Sequence, residues 1–254
     1  MRALSSPPEG PSAGTSFWVL LRMQMARLRR SWRQYVVVSS AMPSGIVLLL
    51  RAMSGPVPRD VALQVITGNL VLSVAITSIA MLAQQVAWMK ASRTFDYFRT
   101  LPVPSAAVVL SILVAYLFFA LPGMAVVLLV GRLLYGVGMQ IGPMLVPAVL
   151  LSGVALSGIG AVIGLLSRTD QLAGLVGNLA MMVVLFLGII PAARVPAVVN
   201  TISWIIPSTY AVHLLMALLG SGASAWEWLR DGGALALWAL LLFTLVDRLS
   251  YRVD

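Results

Sequence analysis

Cysteine is absent from these 254 residues, lysine and histidine occur once each, at Lys90 and His213, and only eight side chains are acidic. Without thiols there are no disulfides and no thiolate metal sites, and a lone histidine cannot build a zinc or haem centre. The lysine lies in "VAWMKASR" with no glycine near it, so the chain has no phosphate loop and cannot hydrolyse ATP alone. No carboxylate falls near the middle of a long apolar run. Proton-coupled transporters keep one there at a cost of about 2.5 to 3.5 kcal/mol, so coupling to a proton gradient is disfavoured. No serine pairs with His213 and a carboxylate at a spacing that argues for a hydrolytic triad.

What is present is apolar. The chain is 60% hydrophobic and 10% charged, with a mean hydropathy of +0.97. That is too little polar surface to cover a soluble globule. The sequence predicts an all-α integral membrane protein, because a helix satisfies its own backbone in a hydrocarbon core about 30 Å thick. Six stretches are long enough, near 36–53, 61–89, 105–131, 143–166, 171–190 and 233–247. The net charge of +9 does not point to nucleic acid, since the basic residues flank the apolar runs.

The connectors set orientation. With the N-terminus inside, twelve basic residues fall inside and five (Arg51, Arg59, Arg132, Arg194 and Arg230) outside, which favours both termini in the cytoplasm. Residues 1–15, rich in Pro, Ser and Gly, are expected to be a disordered tail, followed by a single transmembrane domain over 16–254. Over 16–35, Phe17, Leu21, Met25, Leu28, Trp32 and Tyr35 share an arc of about 80° at 100° per residue. Arg22, Arg27, Arg29, Arg30 and Arg33 lie opposite. This pattern predicts a helix lying in the membrane interface with its basic face toward headgroups and water.

Residues 191–219 are apolar yet broken at Pro191, Pro196 and Pro207, which predicts short re-entrant or interfacial helices before the last span. On the second span Asn69, Ser73, Thr77 and Gln84 form a polar line. It faces either a substrate path or a partner helix, interhelical hydrogen bonds being at least as good an explanation. Asn178, Pro207, Tyr210 and His213 complete the candidate path. Gly153, Ser157, Gly160, Ala161 and Gly164 form a line of small residues that close helix packing explains. There is no internal repeat and no inverted pair of broken spans.

Between the second and third spans lies "RTFDYFRTLPVP", residues 93–104, too polar to cross. As a helix over 92–101 it places Phe95, Phe98 and Leu101 on one face, with Arg93, Asp96 and Arg99 beside them, and Pro102 and Pro104 stop it. Such a helix either docks in a groove of another protein or packs on headgroups.

With the basic amphipathic helix, the six spans, "TFDYFRTLP" after span two and "GIIP…P…WIIPSTYA" before the last span, nearly the whole chain resembles the permease subunits of type-2 ATP-binding-cassette exporters, including daunorubicin-resistance and polysaccharide permeases. In that family the segment after span two commonly ends in Gly, Thr, an apolar residue, an acid, then Leu and Pro; Thr94, Phe95, Asp96, Phe98 and Pro102 match. The resemblance implies that Thr94, Phe95, Asp96, Phe98, Arg99, Leu101 and Pro102 form a coupling helix seated in a separate nucleotide-binding ATPase subunit. The interfacial helix, with Phe17, Arg22, Arg29, Arg30, Trp32 and Arg33, would pack beside it. It further implies two ATPase copies carrying ATP and Mg, no cofactor on this chain, and a second permease chain, identical or homologous. The setting would be a bacterial inner membrane, and the substrate small and amphipathic, drug-like or lipid-like. A glycan-export permease and a non-transport scaffold or sensor of the same fold are the alternatives. Two departures from the family pattern stand out: Arg93 stands where relatives have Gly, with Lys90 and Ser92 in place of upstream acids, and His213 and Met216 replace an acid and an arginine.

Overall fold

The computed structural model describes residues 13–29, 32–92, 94, 105–189, 203–220 and 222–250, and those residues contain helices and no strands. The helices are α1 (Ala13–Arg29) and α2 (Trp32–Ser54). α3 comprises Arg59–Ala75, a π turn Ile76–Met81 and Leu82–Ala91. There follow α4 (Ser105–Tyr135), α5 (Leu145–Leu166), α6 (Asp170–Ile189) and α7 (Pro207–Gly220). α8 comprises Ala225–Glu227, a π turn Trp228–Gly232 and Gly233–Ser250.

Four helices are long and apolar enough to cross a membrane, and five when the bent pair Leu110–Phe118 and Leu121–Tyr135 of α4 counts as one span. This is short of the six expected from apolar runs: the apolar part of α6, Asp170–Val184, and α7 are shorter. Fourteen residues at 1.5 Å each give α7 a length of about 21 Å, too little to cross. The expected 191–219 segment is described only from Ser203, where a bend leads into α7 with Pro207 at its first position.

α3 is the central helix, almost wholly buried along its apolar length, whereas most of α2 and α8 is not buried. Ile66, Leu70, Ile79, Leu113, Leu117 and Leu156 belong to one core uniting α3, α4 and α5. Proline shapes two helices. α4 bends by 40° just before Pro122, whose ring cannot follow a straight helix. In α2, Pro43 has no N–H to offer the carbonyl of Ser39 four residues earlier; Ser73 of α3 supplies the missing donor, Oγ to Ser39 O at 2.7 Å. Gly123 of α4 lies at the same node, where any Cβ would collide with Ser39 Oγ.

The molecule has two chemically distinct ends. At one, α2, α4 and α7 each stop near a glycine of positive φ, Gly55, Gly136 and Gly222. Basic side chains from neighbouring helices cover the last carbonyls of α4 and α7 there. Arg51 Nε donates to Leu134 O at 2.9 Å, and Arg59 Nη2 to Gly220 O at 3.1 Å and Gly138 O at 3.3 Å. At the other end Lys90 Nζ donates to Leu165 O at 2.7 Å, closing α5. Cations there meet both the orphan carbonyls and the negative end of the helix dipole.

Candidate functional site

At the Lys90 end, Leu20 of α1 is buried in a cluster with Val86 and Met89 of α3 and Val108 and Ile112 of α4. α1 therefore packs on α4 and joins the apolar cluster that α4 shares with the end of α3, the two helices that bracket residues 92–104. Of the expected coupling residues, Thr94 is described, its Oγ1 2.7 Å from Ser92 Oγ. Phe95, Asp96, Phe98, Arg99, Leu101 and Pro102 lie outside the described residues.

The expected amphipathic helix is described in two pieces: α1 covers Ala13–Arg29, and Trp32 and Arg33 belong to α2, residues 30 and 31 lying outside the described residues. Arg22, Arg29 and Arg33 are exposed, Arg33 lying 5.8 Å over the Trp32 ring; Arg30 is outside the described residues. Phe17 is only half-buried and meets Trp18 edge-on. The most buried positions are Leu20 and Gln24, on the flank of the predicted stripe. The helix turns that flank inward because its partner is α4, and the apolar Trp18, Val19 and Met23 are left outward.

The polar line on α3 divides. Asn69, Ser73 and Thr77 are buried, whereas Gln84 is exposed. Thr77 Oγ1 returns to Val74 O at 2.8 Å and Ser73 repairs α2, so these two serve helix structure. Asn69 Nδ2 reaches Val65 O at 2.8 Å while its Oδ1 is buried without a partner. Asn178 is exposed on α6. The small-residue line is a packing seam, as Gly153 meets Leu117 of α4 and Gly160 and Gly164 meet the backbone of α3.

The remaining expected path residues, on α7, border two clefts. Pro207 lines an apolar cavity of about 320 Å³ with Ile79, Ile159, Val183, Ile205 and Trp238. Tyr210 donates its hydroxyl to Trp204 O at 2.7 Å, and the Trp204 ring lies 5.0 Å from that of His213. His213 opens on the second cleft, of about 380 Å³, lined by Arg59, Asp60, Leu63, Met216, Gly220 and Glu227.

Sequence reasoning missed this polar cleft. Glu227 is fixed by a capping box, Ser224 N and Oγ both donating to its Oε2 at 2.7 and 2.8 Å; the spacing "SAWE" carried that signal. Asp231 is buried in the π turn of α8; its Oδ1 has no hydrogen bond but forms an ion pair at 3.6 Å with Nε of Arg230, whose guanidinium lies 4.7 Å over Trp204. His213 is exposed at the cleft mouth, yet partial desolvation there pushes its imidazole below the ordinary range; the Asp231 carboxylate opposes the shift and Arg230 adds to it. Among the described residues no three His, Asp or Glu side chains gather as metal ligands. The arrangement offers an apolar pocket and a separate mixed-charge cleft, both bordered by α7.

No curated protein matches the sequence. Residues 15–219 match the family described as ABC-2 type transporter, a span that runs from α1 to the end of α7. This apolar helical chain belongs to the ABC-2 type transporter family as a membrane permease subunit.

Proposed function

We propose that this permease moves an amphipathic, drug-like or lipid-like substrate outward, powered by a separate ATPase subunit that docks on residues 92–101. The observation that carries the docking is the burial of Leu20 with Met89 and Val108, which seats α1 against the roots of that segment. A push on the segment would reach α1, α3 and α4 together. In this reading α6 makes the sixth crossing, both termini are cytoplasmic in a bacterial inner membrane, and two permease chains pair with two ATPases. The daunorubicin-resistance type of permease fits this cargo best. The apolar cavity between Ile79, Ile159 and Trp238 supports a substrate with a hydrocarbon part, more than a sugar polymer.

The test is co-purification. Tagged permease should recover its ATPase, and Phe98→Ala or Asp96→Arg should abolish that recovery while leaving the permease in the membrane. Transport by permease alone, without ATP, would sink the proposal. An associated ATPase that no amphipathic compound stimulates would favour a scaffold instead.

A further inference from the structure

Three contacts fasten α3 to α5. At Gly160 an added Cβ would lie 2.5 Å from the Ser78 carbonyl oxygen and 2.7 Å from that of Ile79, so α5 rests directly on the backbone of the π turn. One turn later Gly164 does the same against Ala83 O, at 2.6 Å. Lys90 closes the seam by donating to Leu165 O at 2.7 Å and Ser167 O at 3.3 Å. The contact is charge-assisted and falls where α5 would otherwise leave unpaired carbonyls. Asp170 starts α6 three residues after Ser167, so the ammonium holds the turn between α5 and α6 as well as the end of α5. On its other side, Lys90 is two residues from the start of segment 92–101.

We propose that Lys90 is a positioning residue that makes α3 and α5 a single strut. Displacement at residues 92–101 is then passed to the α5–α6 turn instead of being absorbed by fraying of the last turn of α3. The inference rests on the reading of 92–101 as the ATPase docking segment. A plain helix cap would add stability and no transmission, and the two roles separate by experiment.

With no native cysteine, spin labels can be placed at Ala91→Cys and Gln171→Cys, both exposed positions on either side of the ammonium. In lipid nanodiscs the distance between them should form one narrow peak in the otherwise native chain and in Lys90→Arg, and lose it in Lys90→Met, which keeps the apolar stem. A second pair, Gln171→Cys with Ala225→Cys, is measured in the complex with the ATPase. Its distance should shift on ATP binding in the native chain and in Lys90→Arg, and not in Lys90→Met. A peak as narrow in Lys90→Met as in the native chain, or an ATP-driven shift retained there, overturns the proposal. If no ATPase is recovered, the docking reading fails, and the first pair still decides whether Lys90 joins the two helices.

Discussion

Ser73 and Pro43 form one unit of structure, although 30 positions separate them in sequence. The hydroxyl exists to satisfy a carbonyl that the proline ring leaves without its helical donor. Ser73→Ala should therefore destabilise the chain by about 1 to 3 kcal/mol, the cost of a buried unpaired acceptor. In a Pro43→Ala background the same change should cost much less, because the restored N–H serves Ser39. Thermal unfolding of the four variants in detergent gives the coupling, and additivity would refute it. His213 supplies a second prediction. Its imidazole is held below the ordinary range in the fold. The unfolded chain thus takes up the proton first as pH falls, and the stability associated with neutral His213 is present above the unfolded pKa and lost as pH falls through the folded one. Lowering pH from about 7.5 to about 5.5 should depress Tm more in the native chain than in His213→Gln. Equal slopes would show that the ring is not desolvated. The polar line that contains Ser73 was visible in the sequence, but its purpose was written in a different helix. Asp231 was harder still: nothing in "WLRDGGA" signals burial, which arises only when α8 packs on α7.

At the scale of elements, long apolar runs marked the central spans well, since α3, α4 and α5 follow their expected limits closely. The periodicity of α1 told part of the story: Leu21 and Met25 of the stripe pack against the buried cluster, but its deepest residues lie on one flank. A stripe on one helix says which residues are apolar, not which flank a neighbour will cover, and α4 covers Leu20 and Gln24. The π turn at Ile76–Met81 left no trace in composition either. It accommodates one more residue than a regular turn, and α5 rests on it through Gly160. Deleting Ser78 should therefore convert the turn to ordinary helix while preserving the facing of the flanks. Deleting Leu70 from regular helix should instead rotate everything beyond it by about 100° and collapse the core. Monodispersity in size-exclusion chromatography distinguishes them: the first variant should remain monodisperse and the second aggregate. Aggregation of both would mean that the π turn is not a tolerated insertion.

For the whole molecule, the proposed orientation puts the end closed by Gly55, Gly136 and Gly222 outside and the Lys90 end inside. An impermeant maleimide applied to intact cells should label Gly138→Cys and Ala225→Cys, and reach Arg168→Cys only after permeabilisation. The opposite pattern would invert the proposed orientation. The basic caps also imply a timetable. Lys90 finds its acceptor 75 residues downstream, Arg51 finds Leu134 after 83, and Arg59 reaches Gly220 only after 161. At a translation rate of about 5 to 20 residues per second, Arg59 waits roughly ten seconds or longer after its own synthesis. Its guanidinium is the last of these latches to close, so a ribosome stalled before α7 would release a chain whose early helices are formed but whose Arg59 rim is still unlocked.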